Sequence, residues 1–131
     1  MQIEYKVNPP VFNPELRNLF SDSWEETDTD SRDFTPNLKR SLAYVCAYAG
    51  TVLVGFVNVA WDGDKHAFLL DTTVRTSVQR KGIGTALVLR AVDEARTRGA
   101  EWLHVDSEAH LTDVYRKCGF GHTEAGLIKL R

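Results

Sequence analysis

Cysteine is scarce in this chain: Cys46 and Cys118 are the only two in 131 residues, and their spacing suits neither a metal cluster nor a disulfide scaffold. Charge of one sign is lacking as well. Sixteen basic residues stand against 18 acidic ones, a net of −2, so no generic nucleic-acid surface is expected. No apolar run approaches the roughly 18 residues of a membrane span, and no signal-peptide pattern is present. A membrane partner is therefore not expected, and a reducing cytoplasm is the expected setting. Repeats and low-complexity tracts are missing too. With 43% apolar and 26% charged residues, what remains is one ordinary domain over residues 1–131, long enough to bury a core.

Two common phosphate-binding formulas are also absent. A Walker loop needs G-x-x-x-x-G-K-[ST], but Gly82 and Gly84 are followed by Thr85-Ala86 with no lysine. A dinucleotide fingerprint needs Gly or Ala three residues after its second glycine, where Leu87 stands here. Nucleoside triphosphatases and dinucleotide enzymes are disfavoured accordingly.

The most informative segment is Gln79-Arg80-Lys81-Gly82-Ile83-Gly84. It follows a strand-like run, His66 to Arg75, and precedes Gly82 to Arg98, where Ile83, Leu87, Val88, Ala91, Val92 and Ala95 repeat at helical spacing up to Gly99. A strand, a basic turn and a helix start make an anion cradle. The helix N-terminus offers unsatisfied N–H groups and a partial positive charge, and glycine lets a phosphate approach the backbone closely.

Set between a strand and a helix, this Q/R-x-x-G-x-G/A pattern closely resembles the pyrophosphate-binding motif of the GNAT family of acyl-CoA-dependent N-acetyltransferases. The resemblance runs from about Leu69 to Phe120, and Tyr115, Gly119 and Phe120 stand where the family pattern V-x-x-x-N-x-x-A-x-x-x-Y-x-x-x-G-F puts them. Three positions depart from it. Glu108 replaces the usual asparagine, Leu111 the usual alanine, and Thr76 stands where many members have proline, which leaves the strand end less rigid.

Periodicity and turn signals give the order β-α-α-β-β-β-α-β-α-β. The strands are expected at Gln2–Val7, Leu42–Ala49, Val52–Trp61, His66–Arg75, Trp102–Asp106 and Gly121–Leu130. A first helix starts at Asn13 as N-cap with Pro14 behind it and fades near Glu25 or Glu26; a short piece follows around Asn37–Arg40, and Leu111–Lys117 is the last helix. The fold class is mixed α/β, and the resemblance implies a centrally splayed sheet with helices on both faces. It further implies acetyl-CoA as cosubstrate and no metal. The pantetheine arm would lie in the splay against the backbone of Thr73, Val74 and Arg75, with the diphosphate held by Gln79, Arg80, Lys81, Gly82, Ile83, Gly84 and Thr85.

Acetyl transfer to an amine, small molecule or peptide, needs a neutral nitrogen, a polarised carbonyl and a proton for the departing thiolate. The resemblance assigns that proton to Tyr115, and a phenol with pKa near 10 is protonated at neutral pH. A core tyrosine is the alternative reading. For the base, Glu108 comes first and Asp71 second; Asp106, His66, His104 and an ordered water stay open. By strand alternation Asp71 shares a face with Leu69, Thr73 and Arg75. The acids Asp22, Glu25, Glu26, Asp28, Asp30 and Asp33 against the single Arg32 suggest an acidic lip that attracts a cationic acceptor, with Trp24, Glu25 and Asp28 as its contacts, or else simply a solvated loop. With no cysteine on the coenzyme loop, direct attack in a ternary complex is expected rather than an acyl-enzyme. The alternative function is a non-catalytic acyl-CoA-binding sensor or regulatory module. Pairing through sheet edges leaves a homodimer open.

Overall fold

In the computed structural model, which describes residues 1–24 and 31–131, five strands form one sheet in the order β1-β2-β3-β4-β5. They are β1 Ile3–Val7, β2 Ser41–Ala49, β3 Val52–Trp61, β4 His66–Val74 and β5 Trp102–Val105. Neighbours are antiparallel except β4 and β5, which run parallel. A parallel pair needs a crossover, and helix α3, Ile83–Thr97, supplies it.

Helices α1 (Asn13–Ser23) and α2 (Thr35–Lys39) cover one face, where Leu16, Leu19, Phe20 and Phe34 meet Cys46, Leu53 and Phe56. Helix α3 covers the other, with Ile83, Leu87, Val88 and Ala91 packed on Val45, Val57, Val59, Ala67 and Leu69. Gly55 is what lets α3 sit this close. A Cβ built there would come 2.9 Å from Leu87 Cδ1. Helix α4, Thr112–Lys117, brings Tyr115 onto the α3-side core, as the chain beyond it brings Cys118 and Phe120.

Two local expectations change. Asn13 does not cap α1; its amide instead donates to Asp33 Oδ1 at 2.9 Å and accepts the Phe34 N–H at 2.8 Å, while Glu15 takes the Phe12 N–H. The expected last strand, Gly121–Leu130, pairs with nothing in the described sheet, and Leu127, Ile128 and Leu130 are 84, 81 and 78% exposed. Gly121 and Gly126 weaken strand formation there, and His122-Thr123-Glu124 gives it no apolar alternation.

Alternation also fails along β4, for a reason that shapes the site. Asn58 pairs with Leu70 but Phe56 pairs with Thr73, so Asp71 and Thr72 together oppose Val57. This is a β-bulge, and Asp71 adopts φ 59° within it. The extra residue shifts the faces by one. Leu69 and Val74 both pack on the α3 side, whereas Thr73 turns toward α1, so Asp71, Leu69 and Thr73 do not share a face as simple alternation predicts.

Candidate functional site

Pairing between β4 and β5 stops at Leu69 and Val105, yet β4 continues to Val74 against β3. Beyond Leu69, no described strand pairs with that edge of β4, which is open in this sense. Arg75 N–H donates to Val54 O at 2.8 Å, so by alternation the Val74 backbone turns toward that open edge. The Val74 carbonyl receives the Ser23 hydroxyl and the Gln79 side-chain amide, each at 3.0 Å. Thr73 pairs with Phe56, and the Arg75 guanidinium reaches Asn18 Oδ1 and Leu53 O. Of Thr73, Val74 and Arg75, only Val74 turns its backbone to the open edge; the other two are turned to β3.

A 3-10 turn, Thr76–Val78, leads into the basic turn, where Arg80 takes φ 64° and Gly82 takes φ 81° as the residue preceding α3. Gly82 has the left-handed conformation that a side chain disfavours. Among the described residues, no side chain caps α3. The N–H groups of Ile83, Gly84 and Thr85 fall in its first turn, where a helix has no internal acceptor for them. Arg80 and Lys81 are exposed beside them. A Cβ on Gly84 would lie 3.7 Å from Val74 Cγ2, so the helix start and the open strand edge are adjacent.

At the β4 bulge, Asp71 is partly buried, with Arg32 Nη2 at 3.9 Å from its carboxylate. Burial pushes its carboxyl above the ordinary aspartate value, and Arg32 only partly opposes this. Arg32 is itself held over the Phe34 ring at 4.5 Å. Trp24 is 40% exposed and donates its indole N–H to Thr73 Oγ1 at 2.9 Å, so it is neither a buried core residue nor a free wall. Glu25 and Asp28, with Glu26 and Asp30, lie outside the described residues. Of the other two acids in that run, Asp22 binds the Thr76 N–H and Asp33 binds Asn13 and the Thr35 N–H. The Asn13 and Thr35 hydrogen bonds hold Asp33 down at about 2.

Tyr115 is half-buried, edge-on to Phe120 with ring centres 5.7 Å apart. It lines a cavity of about 430 Å³ with Val105, Asp106, Ser107 and His122, at the end of β5 where the strands part. Glu108 is exposed, 3.4 Å from His110 Nδ1. His66, at the start of the β4–β5 pairing, and His104, which pairs with Phe68, bring ring nitrogens to within 2.8 Å of each other. Both thiols are buried, and desolvation lifts Cys46 to about 12 and Cys118 upward. Buried thiols of raised pKa are poor nucleophiles.

Sequence reasoning missed the seam between α1 and the end of β4. Asn18, Asp22, Ser23 and Trp24 bond to Arg75, Thr76, Val74 and Thr73 respectively. The one signal was Thr76 itself, which has an N–H where proline has none.

This is the layout of a GNAT domain, and the family model described as Acetyltransferase (GNAT) family matches residues 13–120. The chain belongs to that family. It is 33% identical over 86 residues to the uncharacterized N-acetyltransferase YvbK of Bacillus subtilis (strain 168), a match covering 63% of this chain and 55% of that protein. The chain thus spans little more than half the length of that relative. A GNAT-family acetyltransferase from Streptococcus pneumoniae TIGR4 superposes with a TM-score of 0.78 at 24% identity over 99% of this chain and 100% of the other. A Bacillus subtilis acetyltransferase solved in complex with CoA gives 0.70 at 25% identity over 90% and 76%. Among the described residues no helix is long and apolar enough to cross a membrane.

Proposed function

We propose that this domain transfers an acetyl group from acetyl-CoA to the nitrogen of a small-molecule or peptide amine by direct attack. One observation carries the reading: the open Val74 edge of β4 lies against the uncapped, glycine-led start of α3. The N–H groups of Ile83, Gly84 and Thr85 take the diphosphate, with Arg80 and Lys81 adding charge. Pantetheine then lies along β4, its amide replacing Ser23 and Gln79 at the Val74 carbonyl, while the Val74 N–H polarises the thioester carbonyl.

The acceptor must lose a proton before attack, since an amine of pKa about 10.4 is neutral in only roughly one molecule in 10³ at pH 7. Asp71 suits the base role better than Glu108. It is partly buried at the bulge beside the opening and its pKa is raised, whereas Glu108 is solvated and paired with His110. Attack on the carbonyl carbon gives a tetrahedral intermediate; its collapse breaks the C–S bond, Tyr115 supplies the thiolate's proton, and the extra proton on the attacking nitrogen leaves to restore the phenol. Trp24 marks the side from which the amine enters. We place the enzyme in the cytoplasm, consistent with two unpaired buried thiols. The outer edge of β5, unpaired among the described residues, is where a second copy would add a strand.

Thiol release from acetyl-CoA, measured across a panel of amines, tests the proposal. Release that depends on an amine supports transfer. Tight coenzyme binding with no release for any amine would instead identify an acyl-CoA-binding regulatory module.

A further inference from the structure

Two histidines 38 positions apart in sequence meet on the face of the sheet away from α3. Ala67, Leu69, Leu103 and Val105 pack into the α3-side core, so His66, Phe68, Trp102 and His104 point the other way. His66 Nδ1 lies 2.8 Å from His104 Nε2, and both residues are exposed. The His104 ring and the His66 backbone are each held in place. Phe68 stacks on His104 at 4.8 Å and 19°, and the Asp62 carboxylate accepts the His66 main-chain N–H at 3.2 Å, fixing the start of β4.

We propose that His66 and His104 form a bidentate site for an imidazole-preferring divalent transition metal, of the Zn²⁺ or Ni²⁺ kind, that clasps β4 to β5. Two nitrogens bound to one ion at about 2.0–2.1 Å, in square or tetrahedral geometry, lie roughly 2.9–3.4 Å apart. The observed pair needs to open by a few tenths of an ångström, and each ring to turn so that its lone pair converges on the ion instead of facing the other ring. In the free protein one of the facing nitrogens carries the proton that bridges them. On metal binding that proton moves to the far nitrogen of its own ring, so that both facing nitrogens present lone pairs to the ion.

No third His, Cys, Asp or Glu among the described residues joins the pair, so water completes the coordination. Oxygen-seeking Mg²⁺ and Ca²⁺ are disfavoured by a purely imidazole donor set. The clasp has a mechanical meaning. β5 is held to the sheet by four residue pairs with β4, and the two strands part just beyond the last, Leu69 and Val105. A metal on His66 and His104 ties the first paired residue of β4 to the third paired residue of β5 and braces the paired stretch that ends at the splay. It does so whether or not the opening binds coenzyme.

Calorimetric titration of the untagged full chain with ZnCl₂ or NiCl₂, with MgCl₂ as control, tests this alongside thermal melts. One equivalent of Zn²⁺ or Ni²⁺ is expected to bind and raise the melting temperature, because a ligand of the folded state alone stabilises it. His66→Gln and His104→Gln should each weaken binding at least tenfold and lose the rise, and a His110→Gln/His122→Gln variant should keep both. Nitrogen NMR of the wild-type rings guards against misfolded variants: Zn²⁺ should shift His66 Nδ1 and His104 Nε2. Absence of binding, binding that survives either Gln substitution in a folded variant, or shifts confined to His110 or His122 would overturn the site.

Discussion

The Asp22 carboxylate at the end of α1 accepts the main-chain N–H of Thr76 at 2.8 Å, and its oxygens also lie 3.1 and 3.2 Å from the Thr76 hydroxyl. That N–H is the main reason the Asp22 carboxyl sits below the usual range. Where the family often has proline, this chain replaces ring stiffness with a hydrogen bond donated to a carboxylate on a neighbouring helix. Thr76→Pro and Asp22→Ala should each weaken CoA binding, and the double variant should cost less than their sum. A coupling of about 1 kcal/mol is expected, near the low end for contacting residues because the carboxylate is exposed. Strict additivity in the titrations would remove the bond from the site's design.

Asp71 should leave its mark on the pH profile. Its pKa is raised by burial, so the fraction of active base, and with it kcat/KM, should rise through a limb above the ordinary carboxylate range. Arg32 holds that value down, so Arg32→Met should move the limb to higher pH. Asp71→Asn should lower kcat by about 10²-fold or more and abolish the limb. An unchanged profile in Asp71→Asn would shift the base role to Glu108 or to water.

Gly82 occupies φ 81° at the turn into α3, so Gly82→Val strains the loop as well as filling the space where a phosphate would approach. Coenzyme affinity should fall below detection by calorimetry while the far-ultraviolet spectrum stays helical. Wild-type affinity in this variant would relocate the diphosphate.

Tyr115→Phe keeps the edge-on packing against Phe120 but removes the hydroxyl. kcat should drop about 10²-fold with coenzyme affinity intact. Full turnover would leave Tyr115 as a packing residue.

Gly55→Ala places a methyl 2.9 Å from Leu87 Cδ1 and 3.3 Å from both Ala47 Cβ and Ile83 Cγ2. Overpacking at this α3–sheet contact should cost about 1–3 kcal/mol in denaturant unfolding. The smaller loss expected from Leu87→Ala in the Gly55→Ala background than in wild type tests whether Leu87 is the clash.

The order of elements, the basic turn at 79–84 and the helix behind it were legible in the chain because they are written in local periodicity and turn chemistry, which need no distant partner. The sequence also located Tyr115 and Asp71 as candidates. Tertiary packing alone decided that a bulge turns Thr73 away from Leu69's face, that Val74 is the residue on the open edge, and that Asn13 serves residues 33–34 rather than its own helix. It also joined Arg32 to Asp71, Asp22 to Thr76 and His66 to His104. Each of these depends on strand register or on one element docking against another, and a shift of one residue in register would exchange the faces of a strand without altering its hydrophobic pattern.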